Sequence, residues 1–145
     1  DGKLSELLDA IPSYPNIREK ITCSAEAKIR VMENMEELLT DAFDDISEVN
    51  SIDGVRLTFE DDSWVLVRPS GTEDYVRITL ESRDGERAES IKETCVKTFA
   101  FTCKTLGFTC KTRKAPTWFS TTYANNLFHS HDPFSAIFSA ICSTL

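Results

Sequence analysis

The run VRLTFEDDSWVLVRPSGTEDYVRITL, residues 55–80, decides the architecture. Val55, Leu57 and Phe59 alternate with Arg56, Thr58 and Glu60, the period of two expected of a strand with one buried face. Asp61 and Asp62 then supply a hairpin turn, and Trp64 to Arg68 is almost continuously apolar, as an inner strand should be. Val76, Ile78 and Leu80 alternate with Arg77, Thr79 and Glu81, a third strand of the half-buried kind. Between the last two strands lies a tight connection of Pro, Ser, Gly, Thr and acids.

Working outward, Ile17 to Cys23 reads as a fourth strand after the linker Tyr14-Pro15-Asn16. Ser24 stands where a helix needs an N-cap. Residues 25–44 carry Ile29, Met32, Met35, Leu39 and Phe43 at spacings of three and four, which predicts one amphipathic helix. Downstream, Asp84 caps a last helix with Ala88, Ile91, Cys95 and Phe99 on one side. The order β-α-β-β-β-α predicts an α+β domain, a four-stranded and mostly antiparallel sheet with helices on one face. Residues 1–12, with Leu4, Leu7, Leu8 and Ile11 on one side and Pro12 as the stop, read as the end of a helix from a preceding unit. The expected organisation is therefore residues 1–14 as that end plus linker, 15–99 as the domain, and 100–145 as a weakly ordered tail.

Composition draws the tail boundary. Residues 1–99 hold 12 of the 16 Lys and Arg and 23 of the 24 Asp and Glu, a balance of −11, and the remaining 46 carry +3. That tail is rich in Phe, Ser and Thr without helical or strand period, and its pentapeptide FTCKT occurs twice, at 101–105 and 108–112. The chain as a whole carries −8, so its long-range field opposes nucleic acid and anionic membrane, and any anion site must be local. No run approaches the roughly 18 apolar residues that span a bilayer, and the opening Asp-Gly-Lys is not a signal sequence, which predicts a cytoplasmic protein. The absence of an initiator Met points to a piece of a longer chain. Five cysteines, odd in number and without a Cys-x-x-Cys pair, read as free thiols. The acids of DAFDD at 41–45 lack the glycine and register of a metal loop, and His129, His131 and Asp132 in the Ser/Phe-rich tail form no metal motif.

The connection VRPSGTED, residues 67–74, concentrates the groups that hold a phosphate. Arg68 offers a planar guanidinium fork able to hold two phosphate oxygens. Ser70 and Thr72 offer hydroxyls, and Gly71 permits a turn that gathers backbone N–H groups into an anion nest. Pro69 stiffens the approach and gives up no donor the nest needs. Arg77, nine residues after Arg68, would flank the same concavity if the two strands pair antiparallel. Read as a bare turn, the same residues would instead be ordinary β-turn formers with surface arginines beside them.

Arg68-Pro69-Ser70-Gly71-Thr72-Glu73, followed by Tyr75-Val76-Arg77-Ile78 and the acidic Glu81, resembles the phosphate-binding signature of the fourth, C-terminal domain of the α-D-phosphohexomutase superfamily. DGKLSELLDAIPSYPNIREKI resembles the family's junction between third and fourth domains, and SIDGVRLTFEDDSWVLVRPSGTE its hairpin into the loop. The resemblance covers about residues 1–99 and is strongest to the phosphoglucosamine mutase and phosphomannomutase/phosphoglucomutase branches. Asp74 departs from the pattern, where proline is commoner, and its charge slightly opposes an anion.

The resemblance implies a TATA-box-binding-protein-like fold and a full-length isomerase that interconverts hexose or hexosamine 6-phosphate and 1-phosphate. It implies a phosphoserine enzyme, a bisphosphate intermediate and Mg2+, with the phosphoserine, metal and sugar-selecting loops in other domains. This chain would then hold no catalytic residue and no metal ligand, and would be inactive alone. Arg68, Ser70, Gly71, Thr72 and Arg77 would clamp the non-reacting phosphate, and Pro69 and Glu73 would order the turn. The implied partners are a sugar phosphate and the other domains of the same enzyme. The competing expectation is a non-enzymatic α+β interaction module whose loop is only a turn.

Overall fold

A computed structural model describes residues 14–112. The helix expected over residues 1–12 and the tail beyond 112, with His129, His131 and Asp132, lie outside the described residues. The chain forms β1 (Asn16–Cys23), α1 (Ala25–Met32), α2 (Met35–Asp41), β2 (Ile46–Asn50), β3 (Val55–Phe59), β4 (Trp64–Pro69), β5 (Tyr75–Glu81), α3 (Gly85–Thr105) and β6 (Cys110–Thr112). The sheet has six strands in the order β2-β3-β4-β5-β1-β6, and each neighbouring pair is antiparallel.

Alternation makes the sheet two-faced. Leu57, Val65 and Leu80 occupy neighbouring positions across β3, β4 and β5, and with Val55, Phe59, Val67, Val76, Ile78 and Ile21 they form one cluster with helix residues. From the helices come Ala27, Val31, Met35, Leu39, Ala88, Ile91, Cys95 and Phe99, all essentially buried. Side chains of this size each gain roughly 1.5–3 kcal/mol on full burial, so the helices are held to the sheet mainly by this layer. Phe43 adds an edge-to-face contact with Phe59, ring centres 5.0 Å apart. The Asp61-Asp62 turn forms as expected, with Asp62 left-handed at φ 64° and the Phe59 N–H donating to the Ser63 carbonyl at 2.8 Å. Arg87 of α3 pairs with Asp45 and, at 3.4 Å, with Asp61, which ties the helix to this hairpin.

The expected architecture needs four corrections. The sheet gains β2 and β6. β2 (burial exposed at four of five positions) has no buried face for alternation to reveal, and it is held by pairing with β3 across a register shift at Ile46/Glu48. The single helix over residues 25–44 is two. Asn34, at φ −109° and ψ 2°, leaves helical geometry and starts α2 without a capping bond from its side chain. Ile29, expected inside, is 61% exposed, and the buried positions are Ala27 and Val31. The last helix does not stop at Phe99. It buries Ala100, Thr102 and Cys103, runs to Thr105 and is capped at Gly107. There Gly107, at φ 80°, lets its own N–H reach the Lys104 carbonyl and the Phe108 N–H reach the Cys103 carbonyl, a Schellman cap. Residues 100–112 therefore belong to the sheet-and-helix body. Ser24 and Asp84 cap their helices as expected, accepting from the Ala27 and Glu86 N–H groups.

Candidate functional site: a tight loop beside a row of cations

The β4–β5 hairpin puts Arg68 opposite Arg77, and β1 puts Lys20 on the other side of Arg77. Three cations thus stand side by side on the sheet face turned away from the helices. Arg18 and Arg56 occupy the neighbouring row, on either side of Leu66 and Thr79. The overall negative charge is therefore no guide to this face. The hollow on the helix side, lined by Glu33, Glu36, Glu37 and Asp41, has the opposite sign.

Arg68 reaches Asp53 of the β2–β3 loop, Nη1 to Oδ2 3.5 Å, with side chains 45% and 81% exposed. A pair so open to water contributes little, and it leaves most of the guanidinium fork accessible. Gly54, next to Asp53, lies against the same strand. At φ 118°, a Cβ built on it would fall 2.5 Å from the Val67 carbonyl oxygen and 2.8 Å from Arg68 Cβ. Arg77 donates to the Tyr75 hydroxyl at 2.8 Å and has its guanidinium carbon 5.7 Å from the ring centre. The Lys20 ammonium sits 4.4 Å from the same ring centre. Tyr75 thus steadies two cations without neutralising either.

The loop, residues 70–74, is fixed by its own backbone. The Ser70 N–H donates to the Tyr75 carbonyl at 3.0 Å, the Tyr75 N–H to the Glu73 carbonyl at 3.0 Å, and the Glu73 N–H to Ser70 Oγ at 3.2 Å. Glu73 thus orders the turn through its main chain. From outside the loop, the Cys23 N–H donates to the Asp74 carbonyl at 3.1 Å. Lys28 of α1 donates from Nζ to the carbonyls of Ser70 and Glu73, at 2.7 and 2.9 Å. The N–H groups of Gly71, Thr72 and Asp74 have no acceptor among the described residues. Ser70 Oγ accepts from the Glu73 N–H, and its own hydroxyl hydrogen has no acceptor among the described residues. Gly71 is not left-handed, and a Cβ there would meet nothing within 4 Å. Glycine at this position therefore serves neither the turn nor the packing, and its bare Cα leaves the loop open to approach.

Pro69 ends β4 opposite Val76, where its missing N–H leaves no gap in the ladder on the loop side. Beneath the loop, burial first and then Cys110 push the Cys23 thiol up, although Lys28 acts the other way. Sequence reasoning singled out the arginines and the turn. It missed Lys20, Lys28, Asp53 and Gly54, which reach the site only through the β1–β5 pairing, the α1 position and the β2–β3 loop, and it gave Tyr75, the first residue after the loop, no role.

The antiparallel sheet, the helices on one face and the β4–β5 loop are those of a C-terminal domain of the phosphohexomutase type. Residues 22–98 match the family model for the phosphoglucomutase/phosphomannomutase C-terminal domain, and the chain belongs to that family. It is 80% identical over 96 residues to a probable phosphoglucosamine mutase of Methanobrevibacter smithii, covering 66% of this chain and 22% of that protein. It is 55% identical over 93 residues to one of Methanosphaera stadtmanae, covering 64% and 21%. A crystal structure of a phosphoglucomutase/phosphomannomutase family protein from Burkholderia thailandensis shares the fold, with TM-score 0.52 at 23% identity over 68% of this chain and 20% of that one. The chain spans about a fifth of the length of these relatives. Family membership disfavours the interaction-module alternative. No helix among the described residues is long and apolar enough to cross a membrane.

Proposed function

We propose that this chain is the phosphate clamp of a phosphohexomutase, a phosphoglucosamine mutase by its likeness to the Methanobrevibacter smithii protein, acting in the cytoplasm on a hexosamine 6-phosphate and 1-phosphate pair. Residues 1–14 would be the end of the preceding domain and linker. The clamp would be built on residues 15–112, with the rest of the enzyme as its partner. Arg68 holds two phosphate oxygens, and Arg77 supplies a second cation across the strand pair. The N–H groups of Gly71 and Thr72, with the Ser70 and Thr72 hydroxyls, complete the donor set. The observation that carries this reading is the group of unengaged loop N–H donors beside two arginines placed opposite each other by strand register.

The work of such a site is positioning. Phosphoryl transfer depends on placing the reacting groups and on charge stabilisation, and a clamp on the distal phosphate fixes the substrate while the other end reacts. A bisphosphate intermediate must present its two ends in turn, so a site that reads phosphate rather than sugar suits the exchange. The Mg2+ implied by the family neutralises charge at the reacting phosphate when bound. By the family resemblance its ligands would lie in other domains, and no step is assigned to it here. The chain alone is proposed to bind and not to turn over.

The test is a backbone amide NMR titration of the full 145-residue chain with inorganic phosphate and then glucosamine 6-phosphate. Shifts at Gly71, Thr72, Asp74 and Arg77, saturating in the millimolar range, are expected. Arg68→Ala should weaken binding about tenfold or more, since a hydrogen bond to a charged group contributes about 1.5–3 kcal/mol. No loop response up to tens of millimolar phosphate would refute the clamp.

A further inference from the structure

We propose that Lys28 is a positioning residue for the phosphate loop, a latch from α1 that sets which way the loop's peptide groups face. Its Nζ holds the carbonyls of Ser70 and Glu73, 2.7 and 2.9 Å away and 42 and 45 residues along the chain. A trans peptide is planar, so a carbonyl and the N–H of the next residue point in opposite directions. No peptide among the described residues is cis. Drawing the Ser70 carbonyl toward α1 therefore turns the Gly71 N–H away from α1, and drawing the Glu73 carbonyl does the same for Asp74. One ammonium thus orients two of the three unengaged loop donors.

Lys28 can do this because α1 is itself fixed. Its N-cap Ser24 accepts from Ala27, the flanking Ala27 and Val31 are fully buried, and β1 leads directly into it from the Cys23 N–H that holds the Asp74 carbonyl. Both ends of the loop are consequently gripped by the segment at residues 23–28. A lysine suits the task because its three ammonium donors can serve two carbonyls at once and its charge strengthens both bonds. The same charge lies behind the loop and favours an anion in front of it. Lys28 spends its donors on the Ser70 and Glu73 carbonyls, which separates its role from the phosphate contact proposed for Arg68.

The consequence for affinity rests on the clamp reading above, whereas the latch itself can be read without ligand. In the full chain, Lys28→Met keeps most of the stem and removes the ammonium, and Lys28→Arg restores donors and charge. Without phosphate, the Ser70, Glu73 and Tyr75 amides, whose hydrogen bonds close the loop, should exchange with solvent about tenfold faster in Lys28→Met, while core amides of β4 and β5 such as Val67 and Ile78 stay unchanged. Lys28→Arg should recover part of that protection. With inorganic phosphate as the probe, Lys28→Met should raise the dissociation constant about tenfold, with Lys28→Arg between it and wild type. Loop exchange unchanged in Lys28→Met, with Ile78 protection intact, would overturn the latch whatever phosphate does. If wild type fails to bind phosphate but its loop exchange responds to Lys28→Met, the clamp reading falls and the latch stands.

Discussion

Gly54→Ala is a perturbation whose cost the structure fixes from two sides. The backbone at φ 118° is one that L residues adopt only under strain, at about 1–3 kcal/mol. The new methyl would lie 2.5 Å from the Val67 carbonyl oxygen and 2.9 Å from Arg68 Cα, and both are backbone atoms of β4, held between β3 and β5. Such atoms cannot swing aside as the tip of a side chain would, so overpacking adds about 1–3 kcal/mol. The lower entropy of an unfolded alanine returns about 0.4–1 kcal/mol. A net loss of roughly 3 kcal/mol is expected, which at about 4–8 °C per kcal/mol for a domain near 100 residues lowers Tm by roughly 10–25 °C. Urea unfolding followed by far-UV circular dichroism should show the midpoint fall with the slope unchanged. Because the contact is with Arg68 itself, phosphate affinity should fall with stability. Gly71→Ala is the counterpart: it meets nothing within 4 Å and should leave stability within about 0.5 kcal/mol while weakening phosphate binding. A Gly54→Ala loss below about 0.5 kcal/mol would mean that β4 gives way easily and would refute the reasoning.

Asp53→Asn removes the one carboxylate paired with Arg68, and because exposed pairs are worth about 0–1 kcal/mol, phosphate should bind two- to threefold tighter by calorimetry at low salt. Weaker binding would show that Asp53 aims the guanidinium rather than competing for it. Among the described thiols, Cys110 should be alkylated first at mildly alkaline pH: the Cys103 S–H donates to it and holds it below its usual range, while that shared bond and burial hold Cys103 up. Cys95 should react only on unfolding, since burial pushes its thiol up to about 12. The sign follows: the folded value lies above the ordinary 9.0, so stability is intact below pH 9 and falls above it as the unfolded thiol ionises, by about 1.4 kcal/mol per pH unit. Flat stability from pH 8 to 10.5 would contradict this burial.

The middle of the sheet was legible because Leu57, Val65, Leu80 and their alternating neighbours each report one buried face. β2 was not, since Ser47, Glu48, Val49 and Asn50 are all exposed and only main-chain pairing makes them a strand. The sharpest limit is FTCKT. At 101–105 it closes α3, and at 108–112 its last three residues form β6, so one pentapeptide takes two structures according to what it packs on. The Gly107 cap between the copies was the missed signal. In the site, Arg68 and Arg77 could be paired from local spacing. Lys20 and Lys28 could not, because nothing local tells where β1 joins the sheet.

That position of β1 bears on how the protein is made. The first strand lies between β5 and β6, so its pairs, Asn16 with Glu81 through Thr22 with Tyr75, close long loops and cannot form until the chain is synthesised past residue 81. At about 5–20 residues per second, β1 waits several seconds with both edges bare. The Cys23 and Lys28 contacts to the loop come from this waiting segment, so the candidate site is incomplete until β1 and β5 have joined. On the clamp reading proposed above, a nascent chain truncated before β5 would lack Arg77 and the Tyr75 carbonyl that holds the Ser70 N–H, and should bind no phosphate.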